Sequence, residues 1–356
     1  MRYLNQDERF MAQAIKLALK AEGKTSPNPM VGCVIVKNGH IVGEGYHHKA
    51  GEPHAEILAL EEAGEKANGA TLYVTLEPCC IFGRTPPCTQ AIINNKIRRV
   101  VVGVIDPNPK INGRGLAVLK NAGISISSGI MKNECADLIK PYAKYITTGM
   151  PFVTIKYAQS LDGRLATKTG SSQWISSAAT LKYSHQLRAQ SDAVLIGAAT
   201  ANHDNPRLTV RLVKGNNPLR VVLTKTGKLK KNLHLLNDKK ARTVIITSSP
   251  AKFPKNCEII RLSAKENSID IKAVLVELGK MGVVNLLVEG GAATITGFLK
   301  SKLADRIIVV VAPIIIGDGI NAIGNLNVKT INQSLKLMKV DSKRIGDDCL
   351  IVGDLK

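Results

Sequence analysis

Aromatic residues make up only 4% of this 356-residue chain, and tryptophan occurs once. So sparse a supply argues against a platform on which successive nucleic-acid bases stack, and no nucleic-acid partner is expected. No apolar run approaches the roughly 20 residues needed to cross a bilayer, so no membrane partner is expected either. The opening Met-Arg-Tyr-Leu-Asn-Gln-Asp-Glu-Arg is too charged for a signal peptide. A cytoplasmic location follows as the expectation. Polar repeats and low-complexity tracts are also missing, which argues against a long disordered segment. Cysteines number seven, an odd count, and three crowd between Cys79 and Cys88. That distribution speaks against a disulfide framework and suits a metal or free thiols. Acidic residues fall well short of basic ones, 28 against 49, for a net charge of +21. The basic residues are scattered, so solvated lysines account for most of the excess, and phosphorylated ligands are compatible with it.

What is present reads as two domains, since the length exceeds that of an ordinary single one. Apolar spacing predicts a helix over 7–19, then strands over 31–36 and 41–46 joined by the Asn38-Gly39 hairpin signal. A helix over 55–67, a strand over 71–75, a helix over 89–95 and a strand over 99–104 follow, and one helix over 135–145 closes this half. Gly149 and Pro151 mark a linker, giving domains 1–147 and 151–356. Beyond it, strands are expected over 152–156, 193–197, 219–223, 243–247, 284–288 and 306–311. Alternation of strands and helices in both halves indicates an α/β architecture.

The strongest chemical signal is His54-Ala55-Glu56, followed after a helix and a strand by Glu77-Pro78-Cys79 and then Cys88. One imidazole and two thiolates give zinc three protein ligands and leave a fourth position for water. Glu56, two residues beyond His54, is placed to move protons as the catalytic acid and base. The pattern matches the His-x-Glu and Pro-Cys elements general to zinc nucleobase deaminases. Two other readings stay open: a structural zinc site closed by Cys80, or a pair of buried thiols.

The long spacer Cys79-Cys-Ile-Phe-Gly-Arg-Thr-Pro-Pro-Cys88 resembles the deaminase half of the bifunctional deaminase–reductases of riboflavin biosynthesis. So do Ser26-Pro-Asn-Pro29, Gly45-Tyr-His-His48 and Asp106-Pro-Asn-Pro109. The resemblance implies a cytidine-deaminase-like α/β/α domain with Asn28, His47, Arg84, Asp106 and Asn108 lining the substrate pocket. Taken singly, these Asn and Asp residues before proline are ordinary turn formers. The chain departs from the family at Cys80-Ile81-Phe82, where a small polar residue and then His or aromatic residues are usual. A polar contact from position 81 is therefore not expected, while Phe82 could keep a stacking surface.

In the second half, Val288-Glu289-Gly290-Gly291 follows a strand and precedes a helix expected over 295–300, a connection able to cradle a nucleotide phosphate. Lys156-Tyr-Ala-Gln-Ser-Leu-Asp-Gly-Arg164, Gly170-Ser-Ser-Gln-Trp-Ile-Ser176, Leu187-Arg188-Ala189 and Asp204-Asn-Pro-Arg-Leu-Thr-Val-Arg211 resemble the reductase half of the same family. By that resemblance the second domain is dihydrofolate-reductase-like and uses NADPH. Ala158, Trp174, Thr200, Asp204 and a loop from Gly291 to Gly297 would contact NADPH. Lys156, Ser172, Arg188, Leu208, Arg211 and Glu289 would face a phosphorylated pyrimidine substrate, and Asp204 is a candidate proton donor. A homo-oligomer is the expected assembly. A nucleic-acid deaminase and a non-catalytic zinc module are the competing functions; neither requires the second domain's motifs.

Overall fold

The computed structural model describes residues 4–83, 86–265 and 268–355. The chain divides into two compact units, Met1–Gly149 and Met150–Lys356.

The first unit opens with helix α1 (Gln6–Leu19), started by a capping box in which Asn5 and Glu8 each accept the other's backbone N–H. Strands β1 (Gly32–Lys37) and β2 (His40–Tyr46) form the expected hairpin. Asn38 and Gly39 both have positive φ, 51° and 79°, as a tight two-residue turn between twisted strands requires. Helix α2 (Ala55–Ala63), β3 (Thr71–Leu76), α3 (Cys88–Asn94), β4 (Arg99–Val104), α4 (Arg114–Asn121) and β5 (Ser125–Ser128) follow. The sheet runs β2-β1-β3-β4-β5, antiparallel at the hairpin and between β1 and β3, parallel from β3 onward. Helix α2 lies directly on β2, because a side chain at Gly43 or Gly45 would sit 2.2 or 2.3 Å from the carbonyl oxygens of Ala59 and Ala55. Glycine there fixes how close the start of α2 comes to the sheet, and hence where His54 stands.

One expected helix is two. The segment read as a helix over 135–145 forms α5 (Lys132–Leu138) and α6 (Lys140–Thr148), with Pro141 in the first turn of the second. Proline has no N–H to donate and its ring crowds the preceding turn, so the helix must restart. The new direction brings Tyr142, Tyr145 and Ile146 of α6 to the wall of a cavity.

The second unit contributes β6 (Phe152–Ser160), β7 (Arg164–Thr167), α7 (Ala178–Ala189), β8 (Ala193–Gly197), α8 (Ala198–Asp204), β9 (Leu219–Thr224), α9 (His234–Asn237), β10 (Thr243–Thr247) and β11 (Cys257–Arg261). It continues with β12 (Ala264–Lys265), β13 (Ser268–Ile269), α10 (Ile271–Lys280), β14 (Asn285–Val288), α11 (Ala292–Lys300), β15 (Arg306–Ala312), β16 (Gly319–Asn321), β17 (Leu337–Ile345) and β18 (Asp348–Leu355). The main sheet runs β11-β10-β9-β8-β14-β6-β15-β18-β17, parallel through β15 and antiparallel for the last two strands. Its parallel strands are nearly continuous apolar runs, as strands covered on both faces must be, with Val153, Ile155, Leu195, Val221, Ile246, Leu286 and Val288 in one core cluster. Chain order leaves β6 for β8 and returns to insert β14 between them. Ligands of open α/β sheets bind where strand order reverses, beyond the carboxyl ends of the strands.

Candidate active sites

Three elements deliver the first site. His54 is the N-cap of α2, with extended backbone at φ −74° and ψ 163°, and its side chain makes no cap hydrogen bond. The ring is therefore available to other partners. Glu56 sits in the first turn of α2, 3% exposed. Cys79 follows β3 across Glu77-Pro78, and Cys88 begins α3, its N–H donating to Cys79 Sγ at 3.3 Å. His54 Nδ1 lies 3.2 Å from Cys88 Sγ and 3.6 Å from Cys79 Sγ, and the three ligand atoms all fall within 4.8 Å of one another.

These residues fit zinc. Bonds of ~2.1 Å to nitrogen and ~2.3 Å to sulfur at tetrahedral angles put the two atoms roughly 3.6 Å apart, close to the spacing found. Two sulfurs and a nitrogen are also the donor set this borderline-soft ion prefers. The thiol of Cys79 is drawn down to about 4, first by its hydrogen bond with Cys88 and then by His54, so one thiolate is held ready. Cys88 is pushed up in turn, since the proton shared with Cys79 stays on it. His54 is raised, mainly by its bond to Cys79. Cys80, partly exposed, is not in the cluster, so the arrangement is that of a three-ligand site and not one closed by four cysteine and histidine side chains.

Around this cluster lies a cavity of about 370 Å³ lined by Asn28, His47, Glu56, Asp106, Asn108 and Tyr142 among others. Burial raises the Glu56 carboxyl to about 7, with His54 opposing, and its carboxyl reaches the Cys88 thiol. His47 is 2% exposed, with Nε2 3.0 Å from Asn28 Nδ2 and Nδ1 3.1 Å from the Pro53 carbonyl, and its ring meets that of His54 edge-on. Desolvation lowers it, keeping it neutral. Asp106 is raised to about 6 by burial, and its Oδ1 accepts the Asn108 N–H at 2.8 Å and the Tyr142 hydroxyl at 3.1 Å. Ile81 lines the cavity, whereas Phe82 is 83% exposed and is not part of the wall, so the stacking surface considered for it is not formed. Arg84 lies outside the described residues.

The second site is a cavity of about 480 Å³ at the carboxyl ends of β6, β8 and β14. Lys156, Ala158, Ser172, Thr200, Asp204, Glu289 and Gly291 all line it. Thr200 Oγ1 accepts the Gly291 N–H at 3.0 Å, tying α8 to the start of α11. The expected loop from Gly291 to Gly297 is instead mostly helix. Gly291 is the N-cap, α11 begins at Ala292, and Gly297 sits within the helix, away from the cavity wall. Good helix formers at Ala292 and Ala293 let the helix begin as soon as the glycine pair ends. No side chain caps this helix, so its first amides face the cavity beside Gly290 and Gly291.

Other predicted residues fall outside this wall. Trp174 is 72% exposed. Leu208 is 2% exposed, with its side chain in the core and φ of +52°, so any ligand contact falls to its main chain. Arg188 forms a two-pronged pair with Glu289 at 2.8 and 2.6 Å. Attraction to Arg188 outweighs much of the burial penalty on Glu289 and keeps its carboxylate low. Arg211 donates its main-chain N–H to His185 Nδ1 at 2.9 Å and its guanidinium to Thr209. Burial and then Arg188 lower Arg211, and burial also lowers Lys156; Arg188 and Lys156 both act on the Glu289 carboxylate, with Arg211 crowding Arg188.

Several lining residues carried no sequence expectation: Tyr142, Tyr145 and Ile146 in the first cavity and His203 in the second. The restart at Pro141 was the available signal for α6. For Glu77 the signal was a lone carboxylate at the end of an apolar strand.

Comparison with known proteins agrees with this division. Residues 4–104 match the family model described as the cytidine and deoxycytidylate deaminase zinc-binding region, and residues 151–351 match that of the RibD C-terminal domain. The riboflavin biosynthesis protein RibD of Aquifex aeolicus is 46% identical over 351 residues, covering 97% of each chain. That of Escherichia coli is 42% identical, covering 88% of this chain and 89% of its own. A solved structure of RibD from Acinetobacter baumannii covers 99% of both chains with a TM-score of 0.89 at 37% identity. The corresponding deaminase/reductase from Thermotoga maritima covers 99% of both at 0.86 and 36%. With a zinc-binding deaminase domain followed by a reductase domain, and relatives this similar over nearly their full length, the chain belongs to the RibD family of bifunctional deaminase–reductases of riboflavin biosynthesis.

Proposed function

We propose that His54, Cys79 and Cys88 hold zinc and that Glu56 carries protons during hydrolytic loss of the 2-amino group from 2,5-diamino-6-(5-phosphoribosylamino)pyrimidin-4-one. The observation that carries this reading is the His54-Cys79-Cys88 cluster with Glu56 buried beside it in the same cavity. Zinc, when bound, supplies a water acidic enough to react near neutral pH. Glu56, raised to about 7, can both take a proton and give one up at that pH, which suits transfer from the attacking water to the departing nitrogen. Asn28, His47, Asp106 and Asn108 orient the ring. Neutral His47 uses one nitrogen as donor to the Pro53 carbonyl and the other as acceptor from Asn28, fixing the Asn28 amide, and Asp106 keeps Oδ2, the less occupied oxygen, for a substrate N–H. The proposed role of Arg84 is to meet the substrate phosphate.

For the second reaction NADPH, when bound, supplies hydride. The amides opening α11 suit a cofactor phosphate, with Gly291 allowing close approach while its own N–H is held by Thr200, and Ala158, Thr200 and Asp204 suit its nicotinamide half. Hydride reaching the anomeric carbon breaks its bond to the ring oxygen, which then needs a proton. Lys156, made more acidic by burial, is better suited to give it than Asp204, whose carboxylate is paired with His203 at 2.8 Å. Arg188 and Arg211, with Ser172, suit the substrate phosphate, the anion that would relieve the crowding of cations. Trp174 and Leu208 keep the contacts proposed from family resemblance, through surface or main chain, whereas Gly297, inside α11, is no longer assigned one. We place the enzyme in the cytoplasm, supported by a biosynthetic role and by the absence, among the described residues, of a helix long and apolar enough to cross a membrane. We place it as a homo-oligomer, supported by the exposed Met338 and Val340 on β17, the last strand of its sheet. An assay with the diaminopyrimidine substrate, following ammonia release and NADPH oxidation separately, tests both halves. Ammonia release without added NADPH is the expected result, and NADPH oxidation with no ammonia at any stage would contradict the order of reactions.

A further inference from the structure

Glu77 precedes the zinc-binding turn by two residues and is 3% exposed. Its carboxylate gathers four backbone amides from the segment that leaves β4. Oε2 accepts the N–H groups of Asp106 at 3.1 Å and Gly113 at 2.9 Å. Oε1 accepts those of Gly115 at 2.9 Å and Leu116 at 3.3 Å. The Glu77 N–H in turn donates to the Val104 carbonyl at 3.0 Å. The segment is also pressed against the turn itself, since a side chain at Gly115 would stand 2.1 Å from the Pro78 carbonyl oxygen. Asp106, itself clamped, and Asn108 and Ile111, between the clamped points, all stand on the cavity wall.

Hydrogen bonds to a carboxylate are roughly twice as strong as neutral ones, and four to one buried group over-determine the path of the loop. We infer that Glu77 is a positioning residue for pyrimidine recognition, holding the loop 106–116 in fixed register with the Cys79 turn so that Asp106 and Asn108 meet the ring beside the metal. This rests on the deaminase reading above. Glu77 itself borders the cavity, but its carboxylate is engaged by the four loop amides, so it acts through the main chain of the segment that carries Asp106 and Asn108.

Glu77→Gln replaces one acceptor oxygen by an NH2 that faces two N–H donors, releasing one side of the clamp. The expected result is a rise of about tenfold or more in KM for the diaminopyrimidine, with kcat within about threefold and zinc still at one per chain. Reduction of the deaminated substrate, measured on the same protein, stays unchanged. Hydrogen exchange in peptides spanning 105–116 speeds up about tenfold or more while β3 and β4 keep their protection. Unchanged KM and unchanged exchange would overturn the inference, as would loss of zinc, which would make Glu77 a support of the metal. If Glu77→Gln does not accumulate, Gly115→Ala pushes the same loop off the Pro78 carbonyl and is expected to give the same KM-selective defect; a Gly115→Ala enzyme with normal KM also overturns it. Wild-type protein that releases no ammonia would instead sink the deaminase reading itself, with loop protection in the wild type left to judge the clamp.

Discussion

The two cavities are built by opposite means. The first is a matter of side chains: an imidazole, two thiols and a carboxyl converge, and Asn28, His47, Asp106 and Tyr142 hydrogen-bond one another or the backbone around them. Much of the second is backbone and small residues, with Ala158, Gly197, Gly290, Gly291, Ala292 and Ala293 on its wall beside the charged Lys156, Asp204 and Glu289. Reaction by a held metal needs particular atoms at particular points, while a dinucleotide needs room and amides. Single substitutions should therefore be severe and specific in the first cavity and graded in the second.

The sharpest way to break the contrast is at the ligands. Cys79→Ser is expected to abolish zinc retention and ammonia release while NADPH oxidation on the deaminated substrate continues; metal analysis beside the two assays decides it, and Cys80→Ser should retain the metal. Next, Glu56→Gln should keep zinc yet slow ammonia release by ~10²–10⁴, the range associated with a general acid and base. A Glu56→Gln enzyme of near-normal rate would move the proton-carrying role elsewhere.

In the second unit the severest effect should be on stability. Arg188→Met leaves Glu289 buried without its partner, and breaking such a pair costs ~3–5 kcal/mol. Urea titration followed by far-ultraviolet circular dichroism should show a large fall in midpoint, and an unshifted midpoint would mean the pair is not buried in solution. The smallest expected effect concerns His185, lowered from 6.5 to about 4 by burial and then by Arg188 and Arg211. Unfolded chains bind its proton near 6.5 but the folded one resists until about 4, so stability falls as pH drops through that window and levels below it. His185→Asn, which keeps an acceptor for the Arg211 N–H and does not titrate, should flatten that part of the pH profile; an unaltered slope would place the titration elsewhere.

The same contrast explains what could be read in advance. The zinc cluster was legible because few residue types can do its work and three of its four members lie in short motifs at His54-Ala55-Glu56 and Cys79. Strands such as β4 and β8, with Val100 to Val102 and Val194 to Ile196 at their centres, were legible because burial on both faces leaves only apolar positions there. Tyr142 was not, since its place depends on a helix restarting at Pro141 and on which way that helix then points. The α11 start was read several residues late, because glycine followed by small residues resembles a loop until packing against Thr200 is known. Strands β17 and β18 went unread: β17 is mostly exposed, with charged and apolar residues mixed, and so lacks the alternation that marks a half-buried strand. Insertion of β14 between β6 and β8 is a long-range pairing that no local pattern encodes.

Zinc-edge X-ray absorption on the purified, metal-loaded protein tests the central claim most directly. Two sulfurs at ~2.3 Å and one nitrogen at ~2.1 Å, with a light atom completing the shell, is the predicted coordination. Three sulfurs, or a shell without sulfur, would contradict the assignment of His54, Cys79 and Cys88.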